Sequence, residues 1–101
     1  MSIDLSCYVD ASTVDVDATL MSLSKAHPEI FSRKFLLSTA GEVNSIHKEI
    51  ALEYGLHAKS YFLATLNDNN SPGLVLQVAN LIKKTFDEGK IIVLHGNEHL
   101  M

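Results

Sequence analysis

The residues most suggestive of chemistry lie near the end of the chain. His95-Gly96-Asn97-Glu98-His99 has the H-x-x-E-H spacing in which two histidines hold zinc and the glutamate serves as base. That chemistry needs both histidines on one helical face and a third ligand downstream. Gly96 and Asn97 are poor helix residues, and only Leu100 and Met101 follow His99. The residues after His95 therefore read as a frayed tail, capable at most of weak adventitious binding of nickel or zinc. Cys7 falls in the middle of an alternating segment, on the same face as Ile3, Leu5 and Val9, so it reads as a buried structural thiol rather than a nucleophile. It is the sole cysteine, which leaves redox chemistry without a partner thiol. Asp15 and Asp17 have a D-x-D spacing that could hold magnesium, but acidic residues at a helix start already complement the helix dipole. His47 lies on the apolar side of a helix and reads as a core-edge histidine bonded to the backbone. His27 and His57 flank helix ends. There is no glycine-rich phosphate loop and no dinucleotide fingerprint, and the chain has no tryptophan for a stacking platform. No cofactor and no metal is called for.

One constellation survives. On a helical wheel Glu42, Glu49 and Glu53 fall within about 40° of one another, a carboxylate stripe beside an apolar face. Glu49 and Glu53 are like charges at i, i+4, an arrangement that costs an isolated helix a few tenths of a kcal/mol. A second acidic group, Asp10, Asp15 and Asp17, lies near the start of the chain. Residues 1–24 contain four aspartates and no Lys or Arg, whereas the rest balances eight acids against eight bases. The net charge of −4 thus resides in the first quarter of the chain. This balance disfavours direct nucleic-acid binding, which relies on Lys and Arg to displace phosphate counterions. Lys83, Lys84 and Lys90 form the one basic cluster and read as a solvated face.

These side chains must be positioned by elements that the periodicity outlines. Ser2 to Asp10 alternates as a strand with one buried face. A helix is expected from Thr13 to Ala26, with Val16, Leu20 and Leu23 as its apolar stripe, stopped by His27-Pro28. Lys34 to Ser38 reads as a second strand. Thr39 and Glu42 have capping-box spacing and predict a second helix with Val43, Ile46, Ile50 and Tyr54 on one face, ending at Gly55. Ser60 to Leu66 is a third strand, followed by a turn over Asn67 to Asn70. Ser71-Pro72 opens a third helix that runs to Glu88 and closes at Gly89, and Lys90 to His95 is the last strand.

The expected fold is α/β: one small domain over residues 1–101, in β-α-β-α-β-α-β order, with a mainly parallel four-stranded sheet and three helices. The last two strands are continuous apolar runs and belong at the centre, and the alternating first strand belongs at an edge. One cysteine, no basic-apolar leader behind Met1-Ser2-Ile3-Asp4 and no apolar stretch long enough to cross a bilayer point to a cytoplasmic protein without membrane contact.

The functional expectation is a small acidic binding protein rather than an enzyme. Its concrete form is a bacterial immunity protein that neutralises a basic toxin of the nuclease type. Asp10, Asp15, Asp17, Glu42, Glu49 and Glu53 would be its contact residues, steering association with the partner's Lys and Arg. Apolar residues on otherwise polar arcs, Met21 and Leu76, could add contact points. Two other readings compete. A small α/β enzyme or ligand-binding domain would gather Asp10, Thr39, Glu42, Asp68 and His95 at the carboxyl edge of a parallel sheet. A structural subunit would form a homodimer through the first strand as an edge.

Overall fold

The computed structural model describes residues 3–31, 35–66, 73–95 and 99–100. Its elements are β1 (Ile3–Val9), α1 (Thr13–Ala26), α2 (Pro28–Phe31), β2 (Phe35–Leu37), β3 (Gly41–Glu42), α3 (Ser45–Glu53), β4 (Ser60–Leu66), α4 (Gly73–Phe86), a 3-10 turn at Glu88–Lys90, β5 (Ile91–His95) and β6 (His99–Leu100). Local signals explain most of them. The Ser12 side chain caps α1 by accepting from the Asp15 N–H at 3.3 Å. His27 closes that helix, and Pro28 opens the four-residue α2 at the first helical position, where its missing N–H costs nothing.

The sheet corrects the expected fold class. It is antiparallel, not parallel, with order β2-β4-β1-β5-β6 and β3 also paired to β4. The described residues hold four helices rather than three. The reason is topological. The helical connections do join parallel strands: β1 to β2 through α1 and α2, and β4 to β5 through α4. Each pair, however, has an antiparallel strand between its members, β4 in the first case and β1 in the second. Two split β-α-β units thus interleave into one sheet. A helix-length connector looks the same in sequence whether or not a strand lies between its ends.

β1 is accordingly central, paired with β4 and β5, so neither the edge placement nor dimerisation through it stands. Its alternation arises because both faces of the sheet are covered by different material. On the first face Leu5, Cys7 and Val9 meet Phe62, Ile91 and Val93, with Val16, Leu20 and Leu23 of α1 and Val75, Val78, Ala79 and Ile82 of α4 packed above them. On the second face Tyr8, Ile92 and Leu94 lie with Ala51, Leu56 and Ala58, beneath α3. Ser6 and Tyr8, the polar half of the pattern, are themselves buried.

Three further expectations are revised. The Thr39–Glu42 capping box does not form: Gly41 and Glu42 pair with Tyr61 and Ser60 of β4, and Asn44 caps α3 by accepting from the His47 N–H at 2.8 Å. The third helix of the sequence reading ends at Phe86, before Asp87 at φ 71°, rather than at Glu88. The frayed tail is ordered in part, since His99 and Leu100 pair with β5. Gly55, at φ 81°, takes the left-handed conformation expected just past a helix end. The Asn67–Asn70 turn and the Ser71-Pro72 cap lie outside the described residues. No helix among those described is long and apolar enough to cross a membrane.

Candidate binding surface

Where β1 ends, β4 and β5 begin. Val9 pairs with Ser60 and Ile91, and the chain then turns with the Lys59 N–H donating to the Val9 carbonyl and the Asp10 N–H to the Lys90 carbonyl, at 2.9 and 2.8 Å. At this end of the sheet an open groove of about 590 Å³ forms between the first residues of α1 (Ser12, Thr13), β3 (Glu42 and the adjoining Val43), α3 (Lys48, Leu52) and the segment His57 to Lys59. It exists because β3 is only two residues long and α3 is carried out over the second face.

Around this groove the six carboxylates divide. Glu42 lines it directly. Asp10 reaches it through an ion pair with Lys59, Oδ1 to Nζ 3.6 Å. Glu49 and Glu53 stand on the exposed side of α3, one residue beyond Lys48 and Leu52 respectively. None of Glu42, Glu49 and Glu53 has an ion-pair partner among the described residues. Asp17 is used internally: its Oδ1 accepts from the Ala40 N–H at 2.7 Å and ties α1 to the β2–β3 connection. Asp15 is about 160° from Asp17 around α1, so it points away from that connection and the two form neither a group nor a metal pair. The structure therefore places Glu42 in the groove lining and Asp10 beside it through Lys59, with Glu49 and Glu53 on the exposed side of α3, Asp15 apart and Asp17 engaged. Glu42 belongs to a strand, so the single helical stripe is reduced to Glu49 and Glu53.

Ile46 and Tyr54, expected on the apolar face, are exposed here, Ile46 at 64%, and so is Leu52 at 48%. The inward positions of α3 are Ala51, Ile50 and His47. Among the described residues the His47 ring makes no hydrogen bond to the backbone. It stacks on Tyr61, centroids 4.3 Å apart at 20°, with Tyr8 5.4 Å from Tyr61, and its buried Nδ1 has no hydrogen-bond partner among the described residues. Burial pushes the Tyr8 phenol up to about 12, with its neighbours Tyr61 and Cys7 adding to the effect. Tyr61 is raised for the same first reason, then by Cys7 and Asp4. The Cys7 thiol is fully buried and pushed up strongly by desolvation, the opposite of an activated nucleophile.

The competing sites do not assemble. His95 pairs with His99 across an antiparallel ladder, not along a helix, so the H-x-x-E-H reading loses its geometry, and Gly96 to Glu98 lie outside the described residues. His95 is opposite Leu5, at the far end of the sheet from Asp10 and Glu42, and an antiparallel sheet has no common carboxyl edge to collect them. Asp68 lies outside the described residues. Among those described, no group of three or more His, Cys, Asp or Glu could hold a metal ion.

An open groove lined by Glu42 and Leu52, beside a helix that exposes carboxylates and apolar side chains, suits the binding of another molecule. Residues 1–99 match the family model of the CDI System Immunity Component. The chain is 38% identical over 99 residues to Immunity protein CdiI-2 of Burkholderia pseudomallei (strain 1026b), covering 98% of each sequence. Its fold also superposes on a chain of the CdiA-CT/CdiI toxin and immunity complex from Burkholderia pseudomallei, with a TM-score of 0.92 and 37% identity, over 97% of this chain and 95% of the other. The chain belongs to the CDI System Immunity Component family. The immunity-protein reading drawn from length and charge is thereby borne out.

Proposed function

We propose that this protein binds a CdiA-CT-type toxin domain and neutralises it by occupying a basic surface, as a nuclease acting on RNA or DNA would present. It works by binding, without turnover of its own, in the cytoplasm of the cell it protects. The supporting observation is the set of exposed carboxylates, Glu42, Glu49 and Glu53, that have no cationic partner among the described residues. Carboxylates so placed contribute little to the folded chain and much to the rate at which a basic partner is captured. Asp10 extends this surface through Lys59. Asp15 offers a separate exposed charge, and Asp17 acts through the position of α1.

The test is titration calorimetry with the purified toxin domain made by the same cell, at low salt and at about 0.5 M salt, where screening acts over only a few ångströms. Binding that inhibits the toxin and weakens with salt is the expected result. The double variant Glu49→Lys, Glu53→Lys should lose roughly tenfold or more in affinity with its thermal melt preserved. Failure to bind or to protect would remove the proposal. Equal affinity at both salt levels would remove its electrostatic mechanism.

A further inference from the structure

The two interleaved β-α-β units account for α1, α2 and α4. The segment β3–α3 is an addition between them, and it is attached sparingly. α3 buries one side chain fully, Ala51, against three in α1 and four in α4. It sits on the sheet through Ala51 and Ile50 in the small apolar cluster and through the stacking of His47 on Tyr61, and the buried His47 Nδ1 has no hydrogen-bond partner among the described residues. Yet of the seven large apolar residues exposed among those described, Ile46, Leu52 and Tyr54 belong to α3 and its cap. On the wheel Ile46 lies within about 20° of Glu53, and Leu52 about 60° from Glu49. Leu52 is at once a wall of the groove and part of this face. A helix that served only to cover the sheet would place Ile46 inward and would not carry two unpaired glutamates one turn apart.

Apolar anchors ringed by charge are the pattern of an interface centre with its rim. The charges select the occupant. A second copy of this chain would bring Glu49 and Glu53 against carboxylates, whereas a basic chain relieves their mutual repulsion. We infer that α3 is the element the toxin grips. A toxin segment carrying lysine or arginine beside an apolar side chain lies across its outer face, basic groups on Glu49 and Glu53 and the apolar group in the groove against Leu52. This rests on the function proposed above and assigns its centre. The other exposed apolar stripe, Val14 and Met21 on α1, is the rival contact surface that the sequence also offers, and the inference sets it aside because its neighbour Asp17 is already engaged with Ala40.

The experiment compares two double variants, Ile46→Ala with Leu52→Ala and Val14→Ala with Met21→Ala, for affinity to the same toxin domain. Alanine favours helix, so both should melt near the wild type. The α3 variant is expected to bind roughly 10- to 100-fold more weakly, and the α1 variant within about twofold of wild type. Unchanged binding by the α3 variant, or a larger loss in the α1 variant, overturns the inference while leaving the function intact. Absence of binding by the wild type removes the function and this inference together. Sedimentation of both variants without toxin adds a control. A self-association that Ile46 and Leu52 abolish would make a second copy the occupant and overturn the assignment.

Discussion

The two faces of the sheet are built to different standards. The first carries α1 and α4 on a continuous apolar layer in which Phe62, Val78, Ile82 and Val93 are fully buried. The second carries α3 on a smaller cluster of two tyrosines, a histidine and a few small or aliphatic side chains, with an open groove at its edge. Dry close packing supplies stability on the first face. On the second, stacked rings, a buried His47 nitrogen with no partner among the described residues and exposed apolar residues lie on α3, which also carries Glu49 and Glu53 on its exposed side. The two faces thus differ in how they are packed, and on the function proposed above recognition falls to the second; β1 contributes to both, with odd-numbered residues to one side and even-numbered to the other.

Measurements can break or sharpen that division. Phe62→Ala should cost about 3–5 kcal/mol in urea unfolding, a large part of the stability of a chain this size, whereas Leu56→Ala beneath α3 should cost nearer to about 2 kcal/mol. Equal losses would show that the second face supports the fold as firmly as the first. A smaller effect concerns alkali. The raised Tyr8 phenol is protonated in the folded state over a range where an unfolded tyrosine ionises. Its contribution to stability is therefore fully present below pH of about 10 and is lost as pH climbs towards about 12. Comparing alkaline melting curves of the wild type and Tyr8→Phe should show a steeper loss in the wild type. Parallel curves would mean that the second face opens before Tyr8 titrates. The smallest effect belongs to the groove rim: Lys59→Met, which removes the exposed partner of Asp10, should change stability by less than about 0.5 kcal/mol.

Much of the element map was legible. The bounds of α1 and β4 and the stop at Gly55 follow from periodicity, β-rich runs and glycine, which act locally. Strand direction was not, because right-handed crossovers dictate where a connection returns but not whether another strand occupies the gap. β1 misled for a related reason. Ser6 and Tyr8 are polar enough to suggest solvent, yet a tyrosine buries well beneath a helix. The acidic surface was half legible. Glu49 and Glu53 are neighbours by helical spacing alone. Glu42 is taken off their stripe by the pairing of β3 with β4 and lines the groove instead, Asp17 is engaged by its bond to Ala40, and both are long-range facts. Ile46 pointed the wrong way because Asn44, not Thr39, starts the helix, and His47, Ile50 and Ala51 take the inward arc.

The central position of β1 also bears on synthesis. It is made before both of its neighbours, β4 and β5, which follow more than fifty residues later. Until residues 91–95 emerge, one side of β1 has no strand to pair with, and α4 has no second anchor. Such distant pairing makes for slow closure and leaves open edges on the nascent chain. The sheet around β1 therefore closes only after residues 91–95 have been made.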